Sequence, residues 1–193
     1  MATACSWLHL RNKFVEDDMF VSFDIGTKHC ALCVMDDEEV IRAWTVFEID
    51  APFDVDATRR ALEHAFESIE CVHTVVVERQ PPHSSTMVRI QHYIEMFCAQ
   101  RFRVPIVIMD PRHKLAFAST QPWYVPPAST SYRARKKAAI ESVARYVAEH
   151  VDDPDVSSTF DQAQKRDDLA DALLQVLAHK QMSAEMSARE KEP

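Results

Sequence analysis

The sequence predicts one α/β domain, and three observations carry that prediction. Between residues 19 and 47, three short apolar segments follow one another across tight, turn-compatible separators, the pattern of an antiparallel meander. From residue 56 onward, apolar residues at helical spacing alternate with short β-branched runs, the pattern of strands layered with helices. The length, 193 residues, suits one domain with a sizeable core.

Each element follows from its local pattern. Residues 19–25, MFVSFDI, alternate and are rich in large apolar side chains, so they read as the first strand. Residues 28–36 and 39–47 read as the second and third, set off by Gly26-Thr27 and Asp36-Asp37. Residues 56–70 hold Ala57, Ala61, Leu62, Ala65, Phe66 and Ile69 at helical spacing. The run CVHTVVV, residues 71–77, is a strand that leads directly into Glu78. A helix over 85–102 carries Ile90, Tyr93, Ile94, Phe97 and Cys98, and residues 104–109 form a short strand closed by Asp110-Pro111. Pro111, Pro122, Pro126 and Pro127 mark residues 111–130 as one long loop, and loops of that length tend to be functional. Residues 131–150 read as a helix capped by Ser131, residues 151–166 as a polar connection, and residues 167–180 as a last helix capped by Asp167. Residues 1–18 are expected to be a flexible leader and residues 181–193 a flexible tail, leaving 19–180 as the domain.

Composition narrows the chemistry. The chain has one glycine, where average usage of ~7% would give roughly a dozen. GxGxxG loops, Walker loops and a GxSxG nucleophile elbow are therefore excluded. No apolar run approaches the ~18 residues of a membrane span, and no secretory signal is expected. The five cysteines, Cys5, Cys30, Cys33, Cys71 and Cys98, are odd in number and scattered, which points to a reducing, intracellular compartment. Cys30 and Cys33 lack the second ligand pair that zinc needs, and i, i+3 on a strand places them on opposite faces, so they read as core thiols. The net charge of −8 argues, on average charge alone, against nucleic acid.

Local pattern argues the other way. Asp24 interrupts an apolar strand, and a buried acid without a partner is costly. Glu78 repeats the anomaly at the end of VVV. Asp168 and Asp171 stand at i and i+3 on one helix, beside the stripe of Leu169, Leu173 and Leu177. Taken singly, each is an ordinary solvated acid or a cap. Four carboxylates from three segments, each beside core sequence, suit hard divalent cations such as Mg²⁺. Two such ions ~4 Å apart serve phosphodiester cleavage. The segment SYRARKK, Ser131 to Lys137, places bases at a helix N-terminus, the wrong end for the helix dipole unless an anion such as a backbone phosphate sits there. A solvated charged face is the plainer reading of such a run. Arg79, Arg89, Arg112, His113 and Lys114 would widen this positive surface, and Trp123 and Tyr124 either stack on bases or anchor the loop.

The order of these motifs is distinctive: F-D-I-G at 23–26, E-R-Q-P at 78–81, S-Y-R-x-R-K-K at 131–137 and D-D-x-A-D at 167–171. It resembles the RuvC-type Holliday junction resolvases of the ribonuclease H-like superfamily, above all the poxvirus branch and its relatives in other large DNA viruses. The resemblance runs over residues 19–180. It implies a ribonuclease H-like fold: a mixed five-stranded sheet, three antiparallel strands then parallel strands, flanked by helices. It implies a Mg²⁺-dependent endodeoxyribonuclease that resolves four-way junctions by paired symmetric nicks, leaving 5′-phosphate and 3′-hydroxyl ends. On that resemblance Asp24, Glu78, Asp168 and Asp171 bind two Mg²⁺ ions, with Mn²⁺ able to substitute, and Asp24 bridges them. Lys136 or Lys137 assists catalysis, and Arg79, Arg133, Arg135, Lys136 and Lys137 contact DNA. The implied partners are branched DNA and a second copy of the chain, with the apolar face of helix 85–102 a candidate dimer surface. The implied place is the cytoplasm or nucleus of a host.

Three other readings compete. Asp-Ile-Gly-Thr also opens the phosphate loop of actin-like sugar kinases, but those need two domains and a second glycine-rich loop. Another ribonuclease H-like nuclease, acting on RNA–DNA hybrids or on DNA generally, would use the same acids and differ in substrate. A non-cleaving junction-binding protein would have no need of all four.

Overall fold

Period-two alternation sorts each strand onto the two faces of one sheet. Strand β1 (Phe20–Ile25) sends Val21, Phe23 and Ile25 one way and Phe20, Ser22 and Asp24 the other. Strand β2 (His29–Met35) pairs antiparallel with β1, and β3 (Ile41–Glu48) pairs antiparallel with β2. After helix α1 (Val55–Ala65), β4 (Thr74–Glu78) returns parallel to β1 on its free side. After α2 (Ser85–Phe102), β5 (Ile106–Met109) pairs parallel with β4, which gives the order β3-β2-β1-β4-β5. The expected mixed sheet, with the first strand central and beside the strand ending at Glu78, is what forms. Four helices follow: α3 (Pro111–Ser119), α4 (Tyr132–His150), α5 (Pro154–Gln162) and α6 (Arg166–Arg189). The computed structural model describes residues 18–49, 53–67 and 69–190, so all of the expected leader but Asp18, Cys5 included, lies outside the described residues.

Each sheet face buries its own apolar layer. On one side, Val21, Phe23, Leu32, Val75 and Val77 pack against Leu62 and Phe66 and against Ile90, Ile94 and Cys98 of α2. On the other, Cys33, Met35 and Trp44 pack against α6, with Val143 and Tyr146 of α4 and Phe160 of α5 completing the layer. Between Leu169 and Ala178, α6 buries every residue except Asp171, because sheet, α3 and α4 cover it from several sides. Polar contacts then fix its position along the sheet. Ser22 Oγ donates to the Ala172 carbonyl at 2.6 Å, and Gln175 Nε2 donates to the carbonyls of Phe23 and Val76 at 3.2 and 3.1 Å. Trp44 Nε1 donates to the Leu169 carbonyl at 3.0 Å.

Several boundaries differ from the sequence expectation for identifiable reasons. Residues 111–130 are not one loop, because Asp110 accepts from the Arg112 N–H and Pro111 occupies the first turn, which together start α3. Asp153 and Pro154 start α5 in the same way inside the expected polar connection. Strand β4 begins at Thr74 rather than Cys71, where Phe20 of β1 first offers it a partner. Helix α6 begins at Arg166 without a side-chain cap, so Asp167 is not the cap, and it continues to Arg189, past the expected end at Lys180. Trp123, 3% exposed, packs in the core against Phe117 and Tyr146, so it anchors the segment and is not free to stack on a base. The stripe of α2 carrying Ile90, Ile94 and Cys98 packs into the chain's own core, with Tyr93 and Phe97 half-buried beside it. Cys30 and Cys33 are buried on opposite sides of the sheet, and Cys30, Cys33, Cys71 and Cys98 are unpaired. Among the described residues no helix is long and apolar enough to cross a membrane.

The one glycine is required by space. Its φ is not positive, so left-handed freedom is not the reason. The Gly26 N–H donates to the His29 carbonyl at 2.9 Å to close the β1–β2 turn, and a Cβ at this position would lie 2.7 Å from that same oxygen. Gly26→Ala is therefore expected to force the turn apart and to cost ~1–3 kcal/mol, the range for overpacking a tight contact. Urea denaturation followed by circular dichroism checks this, and an unchanged midpoint would contradict it.

Candidate active site

The site stands where two parallel strands end beneath a helix. Phe23 pairs with Val77 in the β1–β4 register, so one further step sets Asp24 beside Glu78. Alternation directs both toward the α6 face, since Phe23 and Val77 point into the opposite layer. The contacts of Ala172 and Gln175 hold α6 over these strands, and one turn earlier the helix presents Asp168 and Asp171. Helix α3 contributes Lys114 and helix α4 contributes Lys136.

Lys114 is the centre of the cluster. It is 6% exposed, and its Nζ lies 3.1 Å from Asp171 Oδ1 and 3.9 Å from Asp24 Oδ1 while donating to Glu78 Oε2. Those two aspartate oxygens are therefore no more than about 7 Å apart. Burial lowers the pKa of the ammonium, but Asp171, Asp24 and Glu78 outweigh it and hold that pKa above the ordinary lysine value. Asp24 shows the opposite imbalance. Burial, joined by repulsion from Asp171, Glu78 and Asp168, pushes its carboxyl well above the ordinary value despite Lys114.

A second ion pair lies alongside. Lys136 Nζ donates to Asp167 Oδ2 and stands 4.0 Å from Asp168 Oδ1. Burial would raise Asp167, but the bond from Lys136 overrides it and holds the carboxyl below its usual range. Burial and the neighbouring Asp167 charge push Asp168 up. The Lys136 ammonium also lies 5.0 Å from the centre of the Tyr132 ring, a cation–π distance.

All these groups line one cleft of about 550 Å³. Lys28, Arg135, Lys136 and Lys165 supply positive charge along it, and Met87, Leu115 and Tyr132 supply apolar surface. Of the two lysines the sequence left open, Lys136 lines the cleft, whereas Lys137 is exposed and lies 3.5 Å from Glu141. Arg133 and Arg79 are exposed outside the cleft lining. Lys114 was expected only as a contributor to a positive surface, and its central position was missed. The signal that would have found it is Asp110-Pro111, a helix start that turns position 114 inward.

The residues present fit a hard cation. Asp24, Glu78, Asp168 and Asp171 offer only carboxylate oxygens, the donors such ions prefer. A cationic nitrogen already stands among three of them. In this arrangement, among the described residues, no three His, Cys, Asp or Glu side chains close on a common ion position.

The model of the Poxvirus A22 protein family matches residues 18–182. A fowlpox virus resolvase solved with substrate Holliday junction DNA is similar at 19% identity and a TM-score of 0.57, over 86% of this chain and 98% of that one. The fowlpox virus Holliday junction resolvase is similar at 18% identity and a TM-score of 0.56, over 85% and 99%. RuvC from T. thermophilus, in complex with a Holliday junction substrate, is similar at 15% identity and a TM-score of 0.56, over 87% and 96%. No curated protein matches the sequence. The structural likenesses establish the fold as ribonuclease H-like, and the family match over most of the chain establishes that it belongs to the Poxvirus A22 protein family.

Proposed function

We propose that this chain is a structure-selective DNA endonuclease that resolves four-way junctions by paired symmetric nicks. The observation that carries the reading is the convergence of Asp24, Glu78, Asp168 and Asp171 with Lys114 and Lys136 in one cleft beside the basic start of α4. The family match and the junction DNA in two of the similar structures support the same substrate class. Asp24, Glu78, Asp168 and Asp171 would hold two Mg²⁺ ions, or Mn²⁺ in their place. Such ions, when bound, supply Lewis-acid stabilisation of charge at the scissile phosphate. The chain's own groups do the rest. Lys136, at the mouth of the cluster, donates to a phosphate oxygen and positions the strand. Lys114 limits repulsion among the acids before the site is loaded. Arg133, Arg135 and Lys137, on the exposed side of α4, track the backbone, and Arg79 extends that contact from the end of β4. The products are a 5′-phosphate and a 3′-hydroxyl, which a ligase can rejoin. Two cuts on a two-fold symmetric junction call for two sites, so the working form is a homodimer.

The decisive experiment is incubation with a synthetic four-way junction and Mg²⁺, read on a denaturing gel. Paired cuts at symmetric positions, resealed by ligase, are expected. Uncut junctions, or equal cutting of linear duplex, would overturn the reading. Asp24→Asn is expected to reduce cleavage by roughly a thousandfold or more while junction binding persists. Replacing Arg133 and Arg135 together by Gln should weaken binding and lower the slope of log affinity against log salt by about two.

The raised carboxyl of Asp24 sets a stability prediction for protein free of divalent ions. A folded-state value above the unfolded one means that ionised Asp24 destabilises the fold above that value, and the penalty fades as pH falls toward the unfolded value. Asp24→Asn should therefore melt higher than the parent at neutral pH, with the gap closing in acid. Calorimetry in chelator at several pH values measures it, and a variant that melts lower at neutral pH would contradict the charge balance described.

A further inference from the structure

Among the described residues seven large hydrophobic side chains are exposed, and two of them stand together in the charged cleft. Tyr132 is 66% exposed and Leu115 is 45% exposed, and both line the cavity that holds the four carboxylates. The backbone that carries Tyr132 is fixed by a helix cap. Tyr132 is the first residue of α4, directly after Ser131, whose Oγ accepts the Ala134 N–H at 3.2 Å. The Lys136 ammonium lies 5.0 Å from the ring centre and 4.0 Å from Asp168 Oδ1, so the ring centre is within about 9 Å of an acid of the cluster. That is roughly one nucleotide's reach from the place where a phosphate would be cut.

We propose that Tyr132, with Leu115 beside the same cleft, receives the face of an unstacked base next to the scissile phosphate. The inference rests on the endonuclease reading above and adds what makes that site selective. A ring close to the acids is useful only when a base has left its stack. Bases leave readily at a branch point and at a cost of a few kcal/mol in continuous duplex. Stacking on an aromatic is indifferent to base identity, so the contact selects structure rather than sequence. Arg135 and Lys165, lining the same cleft, provide for the flanking phosphates.

Two measurements test this. In single-turnover cleavage of a four-way junction with Mg²⁺, Tyr132→Ala should slow cutting roughly ten- to a hundredfold, the loss expected for one stacked base. Tyr132→Phe should stay within about threefold of the parent, and both variants should melt with the parent because the side chain is exposed. A Tyr132→Ala variant that cuts at the parental rate, or a Phe variant as slow as the Ala variant, overturns the proposal. Separately, 5-iodouracil is placed in turn at each nucleotide around the branch point and irradiated on the parent protein without divalent ion. An adduct mapped to Tyr132 at one position is expected, and its absence at every position overturns the base contact. This second measurement needs no cleavage. A parent that fails to cut junctions would refute the endonuclease reading while the adduct still decides the contact.

Discussion

Four carboxylates at the rim of an apolar core repel one another, and the surrounding structure answers that repulsion. Asp24 bears most of the strain, since it is the most deeply set and faces three other acids. The compensating charge comes from Lys114, which reaches Asp24, Glu78 and Asp171 together. Its position depends on α3, and α3 depends on a capping aspartate followed by a proline. A two-residue signal in the chain thus governs the electrostatics of a site built from strands more than thirty residues earlier.

The parts of the molecule legible in the sequence are those written in local periodicity. Alternation in β1 and β4 placed Asp24 and Glu78 on the same sheet face, and i, i+3 spacing placed Asp168 and Asp171 together. These patterns repeat within a few residues and need no tertiary information. The choice between Lys136 and Lys137 did not follow from spacing, because successive helix positions differ by a rotation whose direction only packing settles. Here Ala138, Val143 and Val147 turn inward and set Lys136 toward Asp167 and Lys137 toward solvent. Lys114 was obscured by four prolines that suggested a loop, when one of them was a helix start. Trp123 stayed between two readings for the same reason, and the anchoring one holds, since residues without regular structure still contribute to a core.

The net charge of −8 and the proposed nucleic-acid substrate are reconciled by where the charge lies. The cleft lining sets five bases, Lys28, Lys114, Arg135, Lys136 and Lys165, against five acids, Asp24, Glu78, Asp167, Asp168 and Asp171, while acids such as Asp37, Glu38, Glu63 and Glu67 lie exposed elsewhere. A formal charge summed over the chain says little about the field at one surface.

The placement of acids and bases on different layers also determines where the molecule can move. Asp24 and Glu78 belong to the central strands, and Asp168 and Asp171 to a helix tied to those strands by Ser22, Trp44 and Gln175. Shifting one acid relative to another would mean sliding α6 along a close-packed interior, which the packing resists. Lys114, Lys136 and Tyr132 stand on α3 and α4, which pack on α6 from its outer side. The anionic half of the cleft is thus a rigid frame of reference against which α3 and α4 set the cationic and aromatic groups.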